Sequence, residues 1–317
     1  ITAIDFGGST GFYVASANGG VWRYEQEIFA MIPISDNLPT LSIGGLAVHR
    51  SEPFDLYVGT GDYERGGGVG VYRTTDGGAG WTLLSLSPTP TRVSKVMIAP
   101  WDSTIVFVSS KEGIFRSSND GAAWTRVLNK NVSDLATSPN GTFMLAGIRE
   151  EGVYRSTDFG VSWGKLTTDL PSANIGRIAV SISKSSPAIA CAQFGDKPND
   201  DVLGVYRTTN SGTNWSNITP PSSILSDGKT KYLSQESYNN VITIHPSNSN
   251  IIWAAGVLMV RSSNGGSTWS EIGATGARPR KVHPDIHVLF YSSDTRLYVG
   301  CDGGVLVTDN EGALWAY

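Results

Sequence analysis

Apolar residues in this chain come in short runs that alternate with polar ones, and Gly, Asn, Asp and Ser separate the runs. In the stretch 93–129 the pattern predicts four consecutive strands, A to D, at 96–99, 105–108, 113–117 and 124–128. Between C and D lies a fixed sequence: an apolar–aromatic pair and Arg, then Ser or Thr, one residue, Asp or Asn, one residue, Gly, two residues and Trp. This box recurs six times, at 71–81, 114–124, 153–163, 205–215, 259–269 and 306–315, with Val260 in the aromatic place of the fifth copy and no Arg in the sixth.

The box has a physical cause. A tight turn between two strands needs an Asp or Asn whose side chain bonds backbone amides just ahead, and a Gly free to take positive φ. Asp76, Asn119, Asp158, Asn210, Asn264 and Asn310 fill the first role. Trp81, Trp124, Trp163, Trp215, Trp269 and Trp315 then open the next strand with a large ring suited to the wedge between neighbouring sheets. The tryptophans stand roughly 40 to 55 residues apart, the period of a four-stranded blade. Residues 20–23, Gly-Val-Trp-Arg, repeat the strand before the box without the box, and counting them gives seven units. The expectation is an all-β, seven-bladed β-propeller of four-stranded antiparallel blades over residues 1–317, with blades near 1–34, 41–86, 93–129, 132–168, 175–219, 239–273 and 282–317, belonging to a longer chain.

Composition narrows the function. Thirty-seven glycines, nine tryptophans and 16% charged residues suit turns and aromatic strands. A formal charge of −4, from 24 basic and 28 acidic side chains without a basic cluster, excludes the electrostatic footprint of a nucleic-acid binder. The apolar run 251–260 falls well short of the roughly 20 residues that span a bilayer as a helix, so no membrane span is expected. Residues 1–6 read as a strand and not as a leader, as a processed or trimmed terminus would. Cys191 and Cys301 fall in non-adjacent repeats and are expected as free, buried thiols.

Short box turns mark one end of the blades, and the long connections 61–69, 194–203, 220–240 and 273–282 crowd the other, where function is expected. Asp285 and His287 start the inner strand of the last blade on one side of it, with Asp302 close by. With His283 they form a His/Asp cluster that either binds a divalent cation such as calcium, or a polar ligand, or else hydrogen-bonds loop backbones. Asp62, Tyr63, Glu64 and Arg65 combine two carboxylates, an aromatic platform and a cation, the groups by which sugars are recognised, or form a solvated loop. The run 66–70, Gly-Gly-Gly-Val-Gly, lacks the context of a phosphate cradle. Tyr232, Gln235, Glu236 and Tyr238, with Arg278, Arg280 and Lys281, either rim a groove or serve loop packing and solubility. His49 and His245 end inner strands and read as structural.

The boxes resemble the Asp-box, or BNR, repeats of sialidases, oligoxyloglucan-type glycoside hydrolases, sortilin-type receptors and many secreted bacterial propellers. Segments 56–62, 238–256 and 297–304 are similar to the exported, sortilin-like group. The resemblance implies a secreted or cell-surface propeller whose functions range from enzyme to receptor. Oligoxyloglucan-type enzymes carry a catalytic Asp just before a Gly-Gly-aromatic segment, whereas the matching segment 15–23 here has Ala17 in that place. A sialidase arginine motif before the first blade is also missing. The expectation is therefore a non-catalytic module binding glycan or extracellular protein through its long-loop face. The alternative is a glycoside hydrolase, sialidase-like or xyloglucanase-like, using Asp62 or Glu64 with Asp285 or Asp302.

Overall fold

Each alternating run becomes a strand paired antiparallel with the next in sequence, as short connections dictate. The computed structural model describes residues 1–7, 11–226, 231–272 and 282–316, and every regular element among them is a strand. Its contacts group residues 1–133 and 160–162 into one compact unit, and residues 134–159 and 163–317 into another.

The first unit holds three four-stranded sheets: β1 to β4 (Ala3–Phe6, Phe12–Ser16, Gly20–Glu25, Ala30–Pro33), β5 to β8 (Ile43–Val48, Leu56–Thr60, Val71–Thr74, Thr82–Leu83) and β9 to β12 (Val93–Ile98, Val106–Ser110, Gly113–Ser117, Thr125–Leu128). The second holds β13 to β16 (Val132–Thr137, Met144–Ile148, Gly152–Ser156, Gly164–Lys165), β17 to β20 (Ile175–Ile182, Ala190–Asp196, Asp201–Thr208, Ser216–Asn217), β21 to β24 (Val241–Ile244, Ile252–Ala255, Met259–Ser262, Ser270–Ile272) and β25 to β27 (Ile286–Tyr291, Leu297–Cys301, Gly304–Thr308). In the last sheet an isolated bridge from Val307 to Ala316 stands where a fourth strand would lie. Strand order within every sheet follows the sequence, and the fold is a seven-bladed β-propeller.

In the third blade strand C falls at Gly113–Ser117, as its pattern predicts. Strand A starts earlier than expected, because the Val93 amide bonds the Gly61 carbonyl of the neighbouring blade at 3.0 Å. Strand D starts after Trp124, whose indole is held in the turn by the Gly121 carbonyl at 2.9 Å. Cys191 and Cys301 are free and buried.

The box turns share one hydrogen-bond scheme. Thr74 Oγ1 donates to Asp76 Oδ1 and accepts from Gly78 N, while Gly80 N donates to Asp76 Oδ1. Serine and asparagine repeat the scheme at 117–123, and threonine and asparagine at 208–214. Two successive residues take positive φ, and the first is often not glycine: Asp120 (53°), Ser211 (56°) and Glu311 (55°). The sequence pattern explains the second of these residues but not the first.

That first residue faces the arginine that the repeat carries in strand C. Arg73 Nη1 donates to the Asp120 carbonyl at 2.8 Å, and Arg155 Nη1 to the Ser211 carbonyl at 3.0 Å, so each arginine grips the turn of the next blade. Arg73 also makes a bidentate pair with Asp55 at 2.9 and 2.6 Å and lies 5.0 Å from the Tyr57 ring centroid. Between successive blades the apolar faces interdigitate: Tyr13, Val21, Leu46 and Val58 between the first two, and Ile242, Ile252 and Val260 against Ala179 and Val205 between the fifth and sixth. Box tryptophans join these layers at Trp81, Trp124, Trp215, Trp269 and Trp315.

Replacing Arg73 with Ala leaves the Asp55 carboxylate, 10% exposed, without its cation, and removes one of the two donors to the Asp120 carbonyl. The expected cost is about 2–4 kcal/mol in denaturant unfolding. Lysine should restore only part of it, because a single ammonium lacks the planar fork. A loss within experimental error for Arg73→Ala would show that the grip on the next turn is dispensable.

Candidate functional site

In the first unit, the Gly-rich loop after β6 folds back on its own backbone. Asp62 Oδ1 accepts the Glu64 and Arg65 amides at 3.1 and 2.7 Å, and the Asp62 amide donates to Ser42 Oγ at 3.0 Å. Such a carboxylate closes a local turn. Tyr63 corrects the expectation of an aromatic platform: it is 7% exposed, with its hydroxyl on Asn131 Oδ1 at 2.9 Å. Arg65 is exposed, and the Glu64 carbonyl accepts from Arg92 Nη1 at 2.9 Å. Close packing explains the glycines, since a Cβ on Gly61 would sit 2.1 Å from the Thr91 carbonyl oxygen.

In the second unit, the ends of three blades bring most of the remaining candidates together. Residues 235–240 lead into β21, residues 283–287 into β25, and Asp302 sits in the turn between β26 and β27. His287 Nε2 lies 2.9 Å from Asp302 Oδ1, and the Tyr238 hydroxyl donates to the same oxygen at 3.4 Å. The Tyr238 ring meets the His287 ring edge-on, with centroids 4.6 Å apart. Arg177, at the start of β17, donates from Nη1 to the Tyr238 carbonyl at 2.7 Å, and Asn240 Nδ2 returns a bond to the Arg177 carbonyl at 3.1 Å.

Asp285 and His287 do not act as one pair. Asp285 takes a left-handed conformation (φ 65°) and its Oδ1 accepts Asn239 Nδ2 at 2.7 Å, while His287 turns to Asp302. His283 Nδ1 donates to the Pro284 carbonyl at 2.9 Å, and its ring covers Gly303, where a Cβ would lie 2.4 Å from the imidazole Cγ. Among the described residues no group of three or more His, Cys, Asp or Glu side chains gathers in a way that could hold a metal ion. Asp302 is 41% exposed and His287 only 14%. Burial lowers the His287 pKa below 6.5, against the opposing pull of Asp302. The ring is therefore neutral at physiological pH and donates its Nε2 proton to Asp302.

Two further candidates turn inward, contrary to the expectation that they rim a groove. Tyr232 is fully buried, with its hydroxyl on Glu271 Oε2 at 3.2 Å. Glu236 is 1% exposed, and Gln193 Nε2 reaches its two oxygens at 3.2 and 3.3 Å while also bonding the Ala255 carbonyl at 3.0 Å. Burial pushes the Glu236 carboxyl well above its ordinary 4.5, more than Gln193 and Arg177 pull it down. A void of about 50 Å³ beside it is bordered by Arg149, Arg177, Lys197, Asp200 and Ser237. Arg280, with Arg278 and Lys281, lies outside the described residues.

Sequence reasoning missed Arg177, Gln193, Asn239 and Asn240. The Asn239-Asn240 pair before a strand was the available signal, because tandem asparagines at a strand entry often serve loop backbones. Gln193, inside β18, gave none.

A sequence model described as the DUF6242 beta propeller domain matches residues 55–315. No curated protein matches the sequence. Among solved structures, the GH74 enzyme of Niastella koreensis superposes with a TM-score of 0.71 at 20% identity, covering 98% of this chain and 53% of that one. The GH74 xyloglucanase of Xanthomonas campestris gives 0.74 at 15% identity, covering 95% and 50%. The chain thus spans about half the length of these glycoside hydrolases. YCF48 bound to D1 peptide gives 0.67 at 13% identity, covering 97% of this chain and 91% of that one, and YCF48 from Cyanidioschyzon merolae gives 0.65 at 15%, covering 98% and 95%. Identities this low carry the fold alone.

The raised Glu236 pKa makes a pH-dependent prediction. The folded protein keeps a proton that the unfolded chain releases above about 4.5, so this group's contribution is fully present in acid and declines as pH rises through the folded pKa. In Glu236→Gln, which cannot ionise, that decline is absent. The melting temperature of the variant relative to the parent should therefore climb between acid and mildly alkaline pH. A difference that stays constant with pH would mean that Glu236 is already ionised in the fold.

Proposed function

This chain belongs to the DUF6242 beta propeller domain family, and we propose that it acts as a non-catalytic recognition propeller whose Arg177, Tyr238, His287 and Asp302 cluster takes a polypeptide partner. The observation that carries the reading is the state of the carboxylates. Asp62 is tied to two backbone amides, Asp285 to Asn239, Asp302 to His287, and Glu236 is buried beneath Gln193. Glycoside hydrolysis needs one carboxyl as acid and a second as nucleophile or base, about 5–10 Å apart across the bond. Side chains spent on holding loops in place suit recognition better than proton transfer.

Support for a polypeptide comes from one structural neighbour, YCF48 bound to D1 peptide. A half-buried tyrosine beside an exposed carboxylate also suits a peptide, with an apolar ring for side chains and an acceptor for backbone amides. The likeness of the turn boxes to Asp-box repeats supports a sortilin-like, exported setting with an extracellular partner. The second reading is a glycoside hydrolase, favoured by the GH74 neighbours.

A peptide array and a polysaccharide-hydrolysis screen separate the two. Peptide binding is expected, weakened at least about tenfold by Tyr238→Ala or Asp302→Ala, with no release of reducing sugar. Sugar release abolished by Asp62→Ala or Asp285→Ala would replace this reading with the hydrolase. Glycan capture without turnover, lost in Tyr238→Ala, would replace the peptide with a glycan.

A further inference from the structure

At the end of the second and third blades opposite the Gly-rich loop, two successive box turns border an open groove of about 650 Å³. This is within the size range of small-molecule sites. Trp81 and Leu84 supply its apolar wall, and Arg73, Thr82, Asn119 and Asp120 its polar one.

Three features make this more than a gap between turns. The half-buried Trp81 ring is fixed in place, because its Nε1 donates to the Ile34 carbonyl at 3.1 Å. Asp120 is held by its backbone: its amide donates to the Thr104 carbonyl at 2.9 Å, and its carbonyl accepts Arg73 and the Tyr57 hydroxyl at 2.8 and 3.0 Å. Its carboxylate, by contrast, takes part in no hydrogen bond or ion pair among the described residues. The residue also adopts φ 53°, a conformation that glycine fills at lower cost. Fold requirements account for the backbone of Asp120, while its carboxylate acts on Arg73 and Tyr57 through charge alone and stays open to the groove.

We propose that this groove binds a neutral oligosaccharide, with a sugar ring stacked against Trp81 and its hydroxyls bonded to Asp120 and Asn119. A sugar hydroxyl both donates and accepts, which suits a wall where a free carboxylate stands beside the Asn119 amide nitrogen and the Thr82 hydroxyl. The C–H face of a pyranose is apolar and packs on an indole. An anion fits less well, since Asp76 and Asp120 line the groove and the Arg73 guanidinium is already paired with Asp55. The groove is independent of the Tyr238 cluster, so the two sites succeed or fail separately.

The test is calorimetric titration of the whole chain with cellotetraose, xylotetraose, maltotetraose and mannotetraose at millimolar concentration. The informative variant is Asp120→Gly, which removes the carboxylate while suiting the left-handed turn, and a thermal melt verifies that it folds. At least one tetrasaccharide is expected to bind, about tenfold or more weaker in Asp120→Gly and unchanged in Tyr238→Ala. Trp81→Phe, which keeps a ring but narrows it, should weaken binding by a smaller factor. Failure of all four sugars to bind, affinity unchanged by Asp120→Gly, or binding lost in Tyr238→Ala and kept in Asp120→Gly would overturn the proposal. So would a peptide ligand whose binding depends on Asp120 in place of a sugar.

Discussion

The carbonyl of a left-handed turn residue, gripped by the arginine of the preceding blade, joins local folding to the assembly of neighbouring blades. A four-stranded antiparallel sheet has two faces and too little chain to bury either alone, so each blade depends on the next. Apolar layers such as Val58 against Tyr13 and Val21 supply the driving force but little direction. Direction comes from contacts such as Arg73 to the Asp120 carbonyl and Arg155 to that of Ser211, which fix one turn relative to the strand beside it. Turning that carbonyl toward the arginine requires positive φ at the residue that carries it, and the Asp or Asn one position earlier closes the turn around it.

This division explains what could be read from the chain and what could not. The box was legible because its hydrogen bonds are local: Thr74, Asp76, Gly78 and Gly80 bond within one turn, so their spacing is written in sequence. Strand C was legible to the residue in the third blade because Gly113 and the box bracket it. The start of strand A was not, since it is set by Gly61 of another blade. The role of the strand-C arginine was hidden for the same reason: its acceptor lies about a blade's length further along the chain.

The candidate sites show a similar limit. Alternation put Asp285 and His287 on one side of their strand, whereas Asp285 turns to Asn239 and His287 to Asp302. The inward rotation of Tyr63, Tyr232 and Glu236 did not follow, because tyrosine and glutamate in a long loop carry no mark of which way they face. Burial was decided by distant partners, Asn131, Glu271 and Gln193, that no local pattern connects to them. Nor did the sequence distinguish a free carboxylate from one already occupied. Asp62 and Asp285 looked like candidates for chemistry, and their oxygens are engaged in holding loops.

A buried acid beneath a recognition loop has a consequence for how firmly that loop is held. Glu236 sits two residues before Tyr238 and is anchored through Gln193 to the Ala255 carbonyl, in the interior of the sixth blade. Gln193 Oε1, on the same amide, is a buried acceptor that no donor among the described residues reaches. An ionised carboxylate there would feel Arg177 across the void that Arg149 and Lys197 also border, yet burial outweighs that pull and raises the pKa. Buried against Gln193, Glu236 turns the loop inward and leaves Tyr238 at the surface beside His287. The position of Tyr238 is therefore joined, two residues along the chain, to a buried acid whose pKa burial raises.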